Sequence, residues 1–91
     1  MPRNAHAQLY VASNDSDSVG KYHTKTGSAI NAIFIKGFPL PKDLRLSGNI
    51  LFAASQFGFV GKYDAETGAA INPGFILGLQ GPFGLAVKSA K

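Results

Sequence analysis

The chain contains no cysteine, which excludes a disulfide framework and any thiolate metal site. No apolar run comes near the ~20 residues that a membrane-spanning helix needs, and no membrane partner is expected. Charge is sparse: 15% of residues are charged against 45% apolar, a globular balance rather than a disordered one. Acidic residues are the scarcer sign, 5 against 9 Lys and Arg, for a formal +4. Histidine is limited to His6 and His23, and neither stands in a pattern with a carboxylate or nucleophile. The chain lacks a G-x-S-x-G elbow, a P-loop and an H-E-x-x-H helix. No catalytic residue, metal-ligand set or cofactor is expected. No window keeps a 3.6-residue apolar stripe for ten residues without Gly or Pro, so no helix is expected either.

What the chain does have is turn residues, 11 Gly and 5 Pro, and a repeat. Val19-Gly20-Lys21-Tyr22 recurs as Val60-Gly61-Lys62-Tyr63, 41 positions on. The same offset pairs Thr26-Gly27 with Thr67-Gly68 and Ala29-Ile30-Asn31 with Ala70-Ile71-Asn72. Phe34-Ile35 matches Phe75-Ile76, Pro41 matches Pro82 and Leu44 matches Leu85. Upstream, Leu9, Ala12 and Ser13 match Leu51, Ala54 and Ser55 at an offset of 42. One residue of length therefore differs between Ser13 and Val19, as a loop would allow. After a tail at 1–8 the chain is two copies of one unit, 9–49 and 50–91.

A period of roughly 40–50 residues is shared by β-propeller blades and helical repeats. The pattern selects strands. Leu9-Tyr10-Val11-Ala12-Ser13 and Ile50-Leu51-Phe52-Ala53-Ala54-Ser55 are short apolar runs bounded by Asn, Asp, Ser and Gly. The expected fold is all-β, with two four-stranded propeller blades per chain. In blade order, strand B covers 9–13 and 50–55, strand C 18–23 and 59–64, strand D 29–35 and 70–76, and strand A 42–46 and 83–88. Gly27 and Gly68 are expected to take the left-handed conformation that closes the C–D hairpins.

The run Pro82-Phe83-Gly84-Leu85-Ala86-Val87 resembles the opening of an NHL-type propeller blade. Gly48-Asn49-Ile50-Leu51-Phe52-Ala53-Ala54-Ser55 resembles its middle, and Val60-Gly61-Lys62-Tyr63-Asp64 the following strand. The segment 63–72 is similar to extracytoplasmic bacterial propeller arrays with NHL-like repeats. The resemblance spans about 9–88. It departs at the acidic residue usual after strand B, which is Ser13-Asn14 in one copy and Ser55-Gln56 in the other. It implies a fold and not an activity, since propellers host scaffolds, lectins, lactonases and lyases.

Two blades are too few, because closed propellers carry roughly 4–8. Self-association of two, three or four copies supplies the remainder, and the resemblance to six-bladed propellers selects the homotrimer. The phase of the repeat points the same way. The chain runs B-C-D, then A-B-C-D, then a lone A. That last strand is expected to pair with strand B of the next copy by β-augmentation. Phe83, Leu85 and Val87 would lie beside Leu9, Val11 and Ser13, head to tail around a ring.

Other candidate sites follow from single residues. Strand A is innermost in a propeller, so Asp43 and Arg45 are candidate channel-lining residues; the plainer alternative is a set of ion pairs within the ring or solvated side chains. Phe57 and Lys62 are a candidate loop ligand patch, with Phe59 assigned to packing. Asn14-Asp15-Ser16-Asp17-Ser18 has the look of a calcium loop but lacks the remaining ligands and reads as a polar turn. Ala5-His6-Ala7 fits a signal-cleavage pattern without the apolar segment before it. The lysines are dispersed, which reads as a solvated positive surface rather than an RNA-binding face. The expected function is a non-enzymatic, self-assembling scaffold or binding module. The alternatives are a lactonase- or lyase-type enzyme active only as a ring, and a glycan- or RNA-binding propeller.

Overall fold

The computed structural model describes residues 7–81 and 84–88. Seven strands follow one another: β1 (Gln8–Ser13), β2 (Ser18–His23), β3 (Ala29–Lys36), β4 (Pro41–Ser47), β5 (Ile50–Ser55), β6 (Phe59–Asp64) and β7 (Ala70–Ile76). They form two antiparallel sheets, β1-β2-β3 and β4-β5-β6-β7, each an up-and-down meander. No helix occurs among the described residues.

The seven strands match seven of the eight expected. For the eighth, expected at 83–88, Phe83 lies outside the described residues, and 84–88 pair with no strand. The described residues therefore form a sheet of three and a sheet of four rather than two of four. The physical reason is the phase of the repeat. The first copy's A segment, β4, hydrogen-bonds onward to β5 and joins the second sheet.

Turn chemistry sets the registers. The β4–β5 hairpin is a two-residue turn at Gly48-Asn49, with Ser47 opposite Ile50. The one-residue length difference falls between β1 and β2, where 14–17 make the turn, against 56–58 between β5 and β6. The hairpins β2–β3 and β6–β7 close through Gly27 (φ 78) and Gly68 (φ 80). Each glycine donates its N–H back, to His23 O (3.0 Å) and Asp64 O (2.8 Å). A side chain at such φ values would be strained.

The repeated Val-Gly-Lys-Tyr has a steric basis. Register shifts occur where β2 meets β3 and β6 meets β7, on either side of Lys21 and Lys62. The tyrosine two residues on folds back over the glycine. A Cβ on Gly61 would stand 2.7 Å from Tyr63 Cε1 and 3.1 Å from the Pro73 carbonyl. Gly20 is equally crowded by Tyr22. Pro73 is tolerated inside β7 because β7 is an edge strand.

The core lies between the two sheets. Val19, Ile35 and Phe38 from the first half pack with Leu51, Ala53, Tyr63 and Ala65 from the second. Phe38 makes edge-on ring contacts with Phe59 (5.3 Å) and Tyr63 (5.9 Å). Ser55, fully buried on the same side of β5, donates to the Pro39 carbonyl at 2.7 Å.

Candidate functional site

The most built polar arrangement in the molecule joins the two sheets. Tyr10 on β1, Lys21 on β2 and Phe34 on β3 stand together on one face of the first sheet. Strand alternation and the β2–β3 register place them there. The rings of Tyr10 and Phe34 lie 5.7 Å apart. The Lys21 ammonium sits 4.4 Å from the Phe34 ring centre and 5.6 Å from that of Tyr10, within cation–π range.

Onto this face the second sheet places the turn after β6, Ala65-Glu66-Thr67-Gly68. The Tyr10 hydroxyl donates to Ala65 O at 2.7 Å. Lys21 Nζ donates to the carbonyls of Ala65 and Glu66, both at 3.2 Å. Lys21 is only 5% exposed. A charge so buried is tolerable because carbonyl dipoles and ring faces replace its water. Gly68 rests on Phe34, where a Cβ would meet the Phe34 carbonyl at 2.6 Å. Burial, aided by the negative charges of Glu66 and Asp64, pushes the Tyr10 hydroxyl above its ordinary 10.0 and keeps it a donor. Burial alone raises Tyr63.

Asp64 shapes the docked turn. Its Oδ1 accepts the Glu66 (2.8 Å) and Thr67 (3.0 Å) amides, and Asn49 Nδ2 approaches both oxygens at 3.5 Å. The Thr67 and then the Glu66 amide hold its carboxyl below the ordinary 3.8. The turn after β2 has His23 at this position and no such cap.

The same three positions exist on the second sheet as Phe52, Lys62 and Phe75. Their geometry repeats: ring centres 6.0 Å apart and the Lys62 ammonium 4.8 Å from Phe75. No turn among the described residues docks there, and Phe75 is exposed. Instead a cavity of about 230 Å³ opens, lined by Phe52, Val60, Phe75 and Ile76 on one side and by Leu85, Ala86 and Val87 on the other.

Of the expected site residues, Asp43 and Arg45 pair with each other on β4, Nη1 to Oδ1 at 3.0 Å. The other Asp43 oxygen accepts the Leu85 amide at 2.7 Å, tying 84–88 to the second sheet. Phe57 is exposed in the β5–β6 turn, and Lys62 stands over the Phe75 ring. Phe59 packs on Phe38. Leu9, Val11 and Ser13 lie on the edge strand β1, with Leu9 and Val11 exposed. Leu85 and Val87 lie against the second sheet. The residues 14–18 form a serine-bonded turn, Ser13–Ser16 at 2.7 Å and Ser16–Ser18 at 3.1 Å. No group of three or more His, Asp and Glu side chains suited to a metal occurs among the described residues.

Sequence reasoning missed Lys21 and set Lys62 beside Phe57. Lys21 and Lys62 read as part of a dispersed positive surface, whereas Lys21 is buried between two rings and two carbonyls. The signal was present in the repeat, which keeps an aromatic at 10/52, a lysine at 21/62 and a phenylalanine at 34/75 in phase.

Comparison with known proteins adds no identity: no family model, curated protein or solved structure matches the chain.

Proposed function

We propose that the chain is a non-enzymatic, self-assembling scaffold or binding module, a two-blade piece of an NHL-like β-propeller that three copies close into a six-bladed ring. One observation carries the reading: the strand inventory is out of balance. The first sheet has no counterpart of β4 among the described residues, while 84–88, the sequence repeat of β4, follow the last strand. Within the chain β4 pairs with β5 and lies against β1. The segment 84–88 lies against the second sheet in the same way, without a strand to pair with. β1 of a second copy is that strand, with Leu9, Val11 and Ser13 beside Phe83, Leu85 and Val87. Main-chain pairing of this kind supplies affinity without side-chain specificity.

The test is the mass in solution. Light scattering should give three times 9.6 kDa, about 29 kDa, and removal of residues 82–91 should return a monomer of the shortened chain. A full-length chain that stays monomeric at all concentrations defeats the reading.

A further inference from the structure

We infer that Phe52, Lys62 and Phe75 seat the turn Thr24-Lys25-Thr26-Gly27 of a second copy of this chain. The docking repeats that of Ala65-Glu66-Thr67-Gly68 on Tyr10, Lys21 and Phe34 within one copy. The inference deepens the ring reading and rests on it, but it concerns side chains rather than strand donation.

The structure holds both halves of this joint separately. The acceptor is preformed, with its lysine already over its ring at 4.8 Å. The donor is Thr24-Lys25-Thr26-Gly27, exposed throughout. It is closed by the same glycine conformation, φ 78 against 80. Gly27 has nothing within 4 Å of its Cβ position, whereas Gly68 in the filled joint rests on Phe34. Lys62 Nζ has the Thr24 and Lys25 carbonyls as the equivalents of those that Lys21 receives.

The apolar surroundings are divided the same way. Leu51 is 1% exposed in the internal joint, and its repeat equivalent Leu9 is 50% exposed. Ala53 and Tyr63 are buried, while Val11 is exposed and Tyr22 is half-buried. Phe38, bonded through its amide to Asp17 O at 2.9 Å, is 2% exposed; Leu79, bonded identically to Gly58 O at 2.8 Å, is 39% exposed. Leu51, Ala53, Tyr63, Phe34 and Phe38 thus each have a more exposed equivalent, whereas Val60, the equivalent of Val19, stays buried at 3%, and the two uncovered sets lie on opposite ends of the chain. A surface of this kind fits a second copy and continues the interface already present between the sheets.

Two substitutions make the joint between copies the weaker one. Phe52 lacks the hydroxyl by which Tyr10 holds the turn. Lys25 stands where Glu66 does, placing a second cation near Lys62. These differences supply the test, because repairing them should tighten association, which misfolding does not do. Sedimentation equilibrium of the full chain would compare the wild type with Phe52→Tyr, Lys25→Glu and Phe75→Asp. Phe52→Tyr should raise the association constant about two- to tenfold, the range for one added hydrogen bond. Lys25→Glu should raise it about two- to fivefold, less at high salt. Phe75→Asp should lower it more than about tenfold with the strand signal in circular dichroism retained. An assembling wild type whose association none of the three alters overturns the docking while leaving strand donation intact. A monomeric wild type overturns both.

Discussion

Crowding around the repeated glycine governs what single residues tolerate. At Gly61 an added methyl would press on Tyr63, the Pro73 carbonyl and the Phe38 ring, the last at 3.2 Å. Only the ring tips can yield. Gly61→Ala should cost about 1–3 kcal/mol by overpacking, read as a fall in denaturant midpoint at unchanged slope. Asp64 makes a second prediction at this scale. Its folded carboxyl titrates below the unfolded value of 3.8 because two amides bond its anion. It therefore adds stability above the unfolded value and loses it as pH falls through the folded one. In acid titrations followed by circular dichroism, Asp64→Asn should flatten the loss of stability below about pH 4. An unchanged acid limb would count against the cap.

Between elements, the decisive contact is the crossing of Phe38, from the loop after β3, onto Phe59 and Tyr63 of the second sheet. Phe38→Ala should cost about 3–5 kcal/mol, because its cavity would open in the only core the chain has among its described residues. Leu79→Ala, at the equivalent position, should leave the unfolding midpoint of dilute chain within ±0.5 kcal/mol, as exposed sites do, and weaken only the assembly. Thermal melts at low and high concentration separate the two effects. Strands and turns were legible because they are local: Val-Gly-Lys-Tyr twice, bounded by turn residues, and Thr-Gly at the β2–β3 and β6–β7 hairpins. The division into sheets was legible from the phase of the repeat. The joint was not, because the burial of Lys21 depends on carbonyls 44 and 45 residues away in the chain. Composition counts that ammonium as surface. The pairing of Asp43 with Arg45 is a contact two residues apart on one strand, whereas the grip of Asp43 on Leu85 spans 42 residues and shows only with 84–88 in place.

At the scale of the whole molecule, the proposed ring has six joints of two kinds, three internal and three between copies. The internal ones carry the Tyr10 hydroxyl and Glu66, so heating should part the ring between copies before the sheets separate. A melt should show a concentration-dependent first transition and a concentration-independent second. A single concentration-independent transition would mean that the copies do not meet in this way. One small feature then acquires a larger meaning. The turn between β1 and β2 is one residue longer than that between β5 and β6 and differs in chemistry, with Asp15 and Asp17 in one and Phe57 in the other. Around the proposed ring these turns would alternate, acidic and aromatic in succession. The rim they would build has a valency of three rather than six, and whatever reads it would meet each kind of turn at every second step.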